Sequence, residues 1–132
     1  MTILLDTNAL IWWLNDDRRL GKKASQDIAS SSNKVYVSNL ALFECVIKQK
    51  TRKLDVDVDS LETVLTHGRI QQAPFDVWSA RQFLDLPRLH WADPFDTAFM
   101  AQAIARRMTL MTSDGHILAS GLSDLRVIDA RK

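Results

Sequence analysis

The sequence predicts an α/β fold: one domain over residues 1–132, with a central parallel sheet of four to five strands and helices on both faces. Three observations lead to this prediction. Short apolar runs recur along the chain, stretches with helical periodicity lie between them, and no linker or low-complexity tract divides the 132 residues. Strands that alternate with helices favour a parallel sheet, because each crossover helix packs back onto the sheet. A chain of this length also suits a single domain.

The first elements follow from apolar spacing. Residues 2–5 form an apolar run that ends at Asp6, which is typical of a buried strand. The apolar residues of 9–14 then recur with helical spacing. A second helical stretch covers residues 22–32, and its polar composition predicts a solvent-facing helix. The next apolar run, residues 35–37, is the predicted second strand.

A third helix is predicted after Ser38, whose side-chain oxygen can cap the first turn. Its apolar face is predicted to consist of Leu40, Phe43, Val46 and Ile47. Residues 54–59 alternate between apolar residues and Asp, but Asp is poor strand material. We therefore expect a loop there, followed by a helix at residues 60–67.

The second half of the chain contains the strongest helix signal. Asp93 is a predicted N-cap, Pro94 suits the first helical position, and an alanine-rich body follows. A shorter helix is predicted at residues 76–84. The remaining apolar runs are predicted to be strands at residues 70–75, 109–112 and 125–128. The first of these is predicted to be an edge strand or to end at its proline.

Composition excludes several classes of protein. The chain has 17 Lys and Arg against 16 Asp and Glu, a formal charge of +1, so it does not bind nucleic acid by overall positive charge. Its single cysteine, Cys45, cannot form an internal disulfide, which favours a reducing cytoplasm and a buried thiol. No apolar stretch approaches the ~18 residues of a membrane span. We expect a soluble, cytoplasmic protein without membrane contact.

The acids are unusual, since fourteen of the sixteen are Asp. Asp6 and Asp114 both follow predicted strands, at the edge where open parallel sheets bind ligands. Either one alone is also an ordinary turn or capping residue. Glu44 interrupts the apolar run ALFECVI, so it needs a partner, a proton or a metal. An ion pair with Lys48, four residues later, is the alternative.

Asp93 and Asp96 lie three residues apart at one helix start. Capping by Asp93 and a favourable helix-dipole interaction of Asp96 account for both without a function. Jointly, however, the acids predict convergence on one pocket, where carboxylates repel one another unless cations lie among them. All-oxygen ligation suits Mg²⁺ or Mn²⁺, and the expected chemistry is metal-assisted phosphodiester hydrolysis.

These acids lie in motifs that resemble those of PIN-domain ribonucleases, and specifically the VapC toxins of bacterial toxin–antitoxin pairs. The motifs are LLDTNALIWWL at residues 4–14, SNLALFECVIKQKTRKL at 38–54, HWADPFDTAFMAQAIA at 90–105 and TLMTSD at 109–114. The resemblance implies a PIN-like nuclease domain across nearly the whole chain. It implies metal-binding acids at Asp6, Glu44, Asp96 and Asp114, with Asp93 as a candidate fifth.

The resemblance also implies an activity and partners. It implies an endoribonuclease, dependent on Mg²⁺ or Mn²⁺, that cuts structured RNA such as tRNA or rRNA. It implies a homodimer inhibited by a cognate VapB-type antitoxin, with DNA contacted only through that antitoxin. Asn8 and Thr112 either tune the pocket by hydrogen bonds or are turn and strand-end residues. Thr97 stands where this subgroup usually has Arg, which puts any role of that arginine in doubt.

Basic and aromatic residues give weaker signals. RNA contact is a hypothesis for two clusters, although a run of charges is usually a solvated face: Lys48, Lys50, Arg52 and Lys53, and Arg18, Arg19, Lys22 and Lys23. Trp12 and Trp13 belong to the core, a dimer surface or an antitoxin surface. His116 is a candidate proton donor, although a metal-dependent route does not require one.

Other function classes remain open at this point. One is a PIN-like RNA-processing nuclease that is not a toxin, and another is a catalytically inert RNA- or protein-binding module. A phosphatase of the haloacid-dehalogenase type would use an aspartyl nucleophile after the first strand. It would place a second Asp two residues later, where this chain has Asn8.

Overall fold

The computed structural model describes residues 1–53 and 57–132. Its strands are β1 (Thr2–Leu5), β2 (Lys34–Ser38), β3 (Ile70–Ala73), β4 (Thr109–Thr112) and β5 (Arg126–Asp129). The helices within these ranges are α1 (Thr7–Leu14), α2 (Lys22–Ala29), α3 (Asn39–Lys50), α4 (Val58–His67), α5 (Val77–Asp85), α6 (Pro94–Ala105) and α7 (Gly115–Leu118). None of these helices is long and apolar enough to cross a bilayer.

All five strands are parallel and pair in the order β3-β2-β1-β4-β5. The chain moves outward from β1 to β2 and β3, and then returns to add β4 on the other side of β1. The order of the strands therefore reverses between β1 and β4. In open parallel sheets, ligands bind outside the carboxyl ends of the strands at such a switch point.

Apart from Thr2, the residues of β1 and β4 are buried, as expected for a parallel sheet covered on both faces. Leu4 and Leu5 of β1 and Leu110 and Met111 of β4 have no exposed surface. Their register pairs Leu5 with Met111, and the backbone N–H of Asp6 donates to the carbonyl of Met111 at 3.0 Å. The residues that follow β1 and β4 are thus held side by side by the most buried part of the molecule.

The α/β fold with a parallel sheet is confirmed, and the five predicted strands are present. The second helix is shorter than predicted: it ends at Ala29, because serines 30–32 are poor helix formers and enter a turn. One of its faces is also buried, through Ala24 and Ile28, whereas a solvent-facing helix was expected. The helix α7 was not predicted, since its four residues are too few for a periodic pattern.

Residues 54–56 of the predicted loop at 54–59 lie outside the described residues. Beyond it, α4 begins at Val58, two residues before the predicted start, because the side chain of Asp57 caps it by accepting from the backbone N–H of Asp59.

The prediction for α3 is wrong about which face is buried. Phe43, Val46 and Ile47 are 54%, 48% and 39% exposed, while the buried residues of this helix are Ala41, Glu44 and Cys45. The apolar pattern assigned the core to the largest side chains. In the fold, the inner face holds small residues and the Glu44 carboxylate. Of the predicted apolar face, Leu40 is partly buried against the core, and the other three side chains are exposed.

Two other expectations about buried residues are resolved. Cys45 is buried, and burial raises the pKa of its thiol to about 11, which makes it a poor nucleophile. Trp12 belongs to the core, and the guanidinium groups of Arg19 and Arg131 lie over its ring at 5.1 and 5.5 Å. Trp13 is partly buried against the same core.

Gly21 is required by the close approach of the end of the chain. Its backbone N–H donates to the carbonyl of Ala130 at 2.8 Å, and a Cβ placed on it would lie 2.2 Å from the backbone of Lys132. A side chain there would push the segment after β5 away from the start of α2.

We expect Gly21→Ala to lower the free energy of unfolding by about 1–3 kcal/mol, because the added methyl overpacks this contact. The matched control is Gly115→Ala, where a Cβ meets nothing within 4 Å. That change should be neutral or stabilising by up to about 1 kcal/mol. Urea unfolding of the three proteins measures both effects. Equal stability of the two variants would contradict the packing around Gly21.

Candidate active site

A small cavity opens at the carboxyl edge of the sheet, beside the switch point between β1 and β4. Its volume is about 160 Å³. The residues that line it, which we call the acid pocket, are Asp6, Thr7, Asn8, Glu44, Lys48, Asp93, Asp96, Phe99 and Asp114. The fold therefore brings together all five predicted acids, although they come from four separate segments of the chain.

Asp6 is the first residue after β1 and the N-cap of α1. Its Oδ1 accepts a hydrogen bond from the backbone N–H of Ala9 at 2.8 Å. The hydroxyl of Thr112 and the backbone of Ser113 also hydrogen-bond to this carboxylate. Burial, with a smaller contribution from Glu44, raises the pKa of Asp6, and these three hydrogen bonds oppose the rise. The chain thus fixes the orientation of a buried acid.

Asp114 lies two residues beyond β4 and caps α7. Its Oδ1 accepts from the backbone N–H of His116 at 2.7 Å and of Ile117 at 3.3 Å. The backbone N–H of Asp114 donates to the hydroxyl oxygen of Thr112 at 3.1 Å. Thr112, predicted either to tune the pocket or to be a strand-end residue, therefore contacts both strand-end acids.

Asn8 lines the acid pocket from α1. Its Nδ2 donates to the hydroxyl oxygen of Ser113 at 3.4 Å, so its contact is with the neighbouring strand end rather than with an acid. This bond joins the first turn of α1 to the segment between β4 and Asp114.

Glu44 faces the acid pocket from the inner side of α3. The hydroxyl of Thr7 donates to its Oε1, and the ammonium of Lys48 lies 2.9 Å from its Oε2. Partial burial lowers the pKa of Lys48, but its hydrogen bond and charge interaction with Glu44 outweigh this, and the pKa is raised. The ion pair and the place in the pocket were alternatives for Glu44 in the sequence, and both are present.

Asp93 and Asp96 begin α6. The Oδ1 of Asp93 accepts from the backbone N–H of Asp96 at 2.8 Å, which is the predicted cap. Asp96 points into the pocket, where burial and then the charges of Asp93, Asp114, Glu44 and Asp6 raise its pKa to about 7. The capping role and the place in the pocket are compatible for this pair of acids.

The donor set of the acid pocket fits a divalent cation. Five carboxylates supply the oxygen ligands that Mg²⁺ and Mn²⁺ prefer, and a bound cation relieves the repulsion that raises the pKa of Asp96. As placed, no three Asp, Glu, His or Cys side chains among residues 1–53 and 57–132 are grouped to hold a metal ion. The fit therefore lies in the donor set and its charge, and not in a preformed ligand geometry.

Several predicted residues lie away from this pocket. Within the basic cluster on α3, Lys48 lines the pocket, whereas Lys50, Arg52 and Lys53 are exposed and do not. In the other cluster, Arg19 pairs with Asp17 at 2.7 Å and Lys23 lies 3.4 Å from Asp27, and Arg18 and Lys22 are exposed; none of the four lines the pocket. Apart from Lys48, the residues of the two basic clusters therefore lie outside the acid pocket.

Two residues near the pocket have local partners outside it. The ring of His116 stacks on Trp91, with centroids 5.4 Å apart, and does not line the pocket. The hydroxyl of Thr97 donates to the carbonyl of Asp93 at 3.0 Å. Thr97 therefore supports the start of α6.

The sequence analysis did not identify two residues of the pocket, Thr7 and Phe99. Thr7 directly follows Asp6, and its hydroxyl was not considered as a donor to a distant acid. Lys48 was expected both in the basic cluster and as the partner of Glu44, and the ion pair is present. Its spacing of four residues from Glu44 was the signal that places both side chains on one face of α3.

Comparison with known proteins gives a family model and a set of similar folds. The PIN domain model matches residues 3–120. Similar solved structures include VapBC2 from Rickettsia felis bound to a promoter DNA fragment, with 16% identity, a TM-score of 0.70, and 97% and 98% of the two chains covered. VapBC-1 from nontypeable Haemophilus influenzae has 16% identity, a TM-score of 0.66 and full coverage of both chains.

A third similar structure is FitAcB from Neisseria gonorrhoeae, with 21% identity, a TM-score of 0.59 and 97% of each chain covered. A comparison with curated proteins found no match. At these identities the structural likeness shows the fold alone.

We expect Asp96→Asn to stabilise the metal-free protein, because Asn keeps the shape of Asp without its charge. The folded-state pKa of about 7 is raised from the ordinary 3.8, so this group's stabilisation is complete below the lower value and is lost as pH rises through the higher one. The gain in Tm from Asn should therefore grow between about pH 4 and pH 7, reach a few degrees and then level off.

Thermal unfolding at several pH values, with chelator present, measures this gain. Asp59→Asn is the matched control, since Asp59 is also an acid in the first turn of a helix but lies outside the pocket. It should lower Tm only slightly, because a favourable helix-dipole interaction is lost. A pH-independent effect of Asp96→Asn would show that repulsion in the pocket does not act on Asp96.

Proposed function

The chain belongs to the PIN domain family, and from this membership we propose that it is a metal-dependent endoribonuclease toxin of the VapC type. The observation that carries the proposal is the acid pocket, which gathers five carboxylates at the switch point of a parallel sheet. Because carboxylates repel one another, such a pocket favours a divalent cation. Similarity to the fold of solved VapBC complexes supports the toxin assignment.

The proposed cofactor is Mg²⁺ or Mn²⁺. Asp6, Asp96 and Asp114 are the proposed ligands, with Glu44 as the fourth acid of the set and Asp93 as a candidate fifth. A bound divalent ion supplies the positive charge that assists attack of water on phosphorus and stabilises the leaving oxygen. The small volume of the cavity suits an ion and its waters better than an organic cofactor.

The chain itself orients the acids for this role. The backbone N–H of Ala9 and the hydroxyl of Thr112 hold the Asp6 carboxylate, and Thr112 also contacts the backbone of Asp114. We propose Asn8 and Thr112 as supporting residues for this reason. Groups fixed in advance lose little freedom when the ligand binds, which lowers the barrier to reaction.

Structured RNA, such as tRNA or rRNA, is the proposed substrate. The acid pocket repels phosphates, so RNA binding needs positive charge nearby. Lys50, Arg52 and Lys53 extend from the end of α3 that follows Glu44 and are exposed to solvent. We propose them as contacts to the RNA backbone, with Lys48 closer to the metal. Cleavage that falls steeply with salt, less so in a Lys50→Ala, Arg52→Ala, Lys53→Ala variant, would support these contacts.

We propose a VapB-type antitoxin and a second copy of the chain as protein partners. Large apolar side chains on two helices support this, since exposed patches of that kind mark interaction surfaces: Phe43, Val46 and Ile47 on α3 and Val77, Trp78 and Leu84 on α5. The similar complexes are described as toxin–antitoxin pairs or as bound to DNA, and DNA contact is proposed here only through the antitoxin. Light scattering of the isolated chain tests for the homodimer.

We expect Asp6→Asn and Asp96→Asn each to reduce Mn²⁺-dependent RNA cleavage by at least about a hundredfold, because each removes a ligand charge from the pocket. The matched control is Asp124→Asn, an exposed acid outside the pocket, which should cleave at the wild-type rate. The measurement is the initial rate on a labelled tRNA pool, with circular dichroism to verify folding.

The same assay separates the alternatives. Undiminished cleavage by a folded Asp6→Asn protein would show that the reaction occurs elsewhere. A wild-type protein that neither binds Mn²⁺ nor cleaves RNA would be an inert binding module. Cleavage without growth arrest on expression in a host that lacks an antitoxin would favour an RNA-processing nuclease over a toxin.

A further inference from the structure

Among the described residues that line the acid pocket, Lys48 is the only one with a positively charged side chain. Its ammonium lies 2.9 Å from Glu44 Oε2, and its charge also interacts with Asp93. The pair is well protected from water on the acid's side: the side chain of Glu44 is 8% exposed and that of Lys48 is 39% exposed. The ion pair is therefore stronger than one on an open surface.

Both oxygens of Glu44 are already occupied by donors from the chain. Oε1 accepts from the hydroxyl of Thr7, and Oε2 faces the ammonium of Lys48. A metal ion that approached Glu44 would share its oxygens with these donors, because each carboxylate oxygen has two lone pairs. It would also have to approach a fixed positive charge within a few ångströms, where repulsion is large.

The carboxylate of Asp96, on α6, differs from that of Glu44 in its partners. Among the described residues, no hydrogen bond to its carboxylate occurs, and four other acids act on it. Asp6 and Asp114 accept hydrogen bonds from neutral groups: Oδ1 of each accepts from a backbone N–H at the helix start that it caps, and Asp6 also accepts from Thr112 and Ser113. Among the described residues, no ion pair involves Asp6, Asp96 or Asp114, whereas Glu44 is paired with the ammonium of Lys48.

The fold holds Lys48 in this position. It lies one turn after Glu44 on the inner face of α3, whose start is capped by Ser38 and whose Ala41 and Cys45 are buried in the core. Lys50, two residues later, points away from the pocket and is exposed. The chain thus offers a second lysine on the same helix that shares the charge of Lys48 but not its contact.

We propose that the ammonium of Lys48 is a permanent cation on the Glu44 side of the acid pocket, so that the pocket takes one divalent metal ion and not two. Two-metal sites hold their ions about 3.5–4 Å apart between shared carboxylates, and Lys48 takes the charge-neutralising place of the second ion. Glu44 then acts on the site by holding Lys48. This inference rests on the proposed function, namely that the pocket binds a divalent metal.

Calorimetric titration of Mn²⁺ into the metal-free full-length chain tests it, with binding as the readout rather than activity. Wild type and Lys50→Met should each bind one Mn²⁺ per chain. Lys48→Met removes the charge but keeps most of the side chain's bulk, and should bind two. When the two ions bind to Lys48→Met in one unresolved step, the apparent Mn²⁺ affinity of this variant should rise by about tenfold or more, because a nearby like charge is lost. Lys48→Arg keeps the charge and should return to one.

Each outcome bears on a different claim. No Mn²⁺ binding by wild type would overturn the proposed function. Two ions per wild-type chain, or one ion with unchanged affinity in folded Lys48→Met, would overturn the role of Lys48 and leave the metal site intact. Should Lys48→Met fail to fold, Lys48→Gln replaces it: it also removes the charge and should bind two ions per chain.

Discussion

Repulsion among five carboxylates in one small cavity is the constraint on which the rest of this structure depends. An Asp or Glu in such a place is stable only with a proton, a donor or a cation nearby. At Asp96 the repulsion is not offset by a donor from the described residues, and burial and four neighbouring acids raise the pKa of its carboxyl to about 7. The other arrangements around the pocket supply donors or positive charge that reduce this repulsion. A fold that brings these acids together therefore favours the binding of a cation.

Ordinary features of the fold offset most of that repulsion. The parallel register of β1 and β4 sets Asp6 beside Thr112, whose hydroxyl contacts both strand-end acids. Helix starts then supply backbone donors, since Asp6, Asp93 and Asp114 are each an N-cap. The negative charge of Glu44 is offset in a different way, by the hydroxyl of Thr7 and the ammonium of Lys48. The contacts that cap these helices are therefore the same contacts that orient the acids in the pocket.

The sequence predicted the acids of the pocket well, because parallel strands end at one edge and the residues after them must meet there. Asp6 and Asp114 follow from that rule. It was weaker where long-range packing decides: the inner face of α3 belongs to Ala41, Glu44 and Cys45, although Phe43, Val46 and Ile47 are more apolar. The spacing of four residues from Glu44 did separate Lys48 from Lys50, but only the fold shows that Lys48 also lines the pocket.

The most direct test of the central claim is where a divalent ion binds. Substoichiometric Mn²⁺ broadens the NMR signals of amides close to it, and we expect it to broaden those of Thr7, Thr97 and Gly115, which adjoin Asp6, Asp96 and Asp114. The amides of Ser123 and Arg126 lie before and at the start of β5, at the opposite edge of the sheet, and should stay sharp. Broadening around β5, or none at a protein concentration well above that of the ion, would contradict the account.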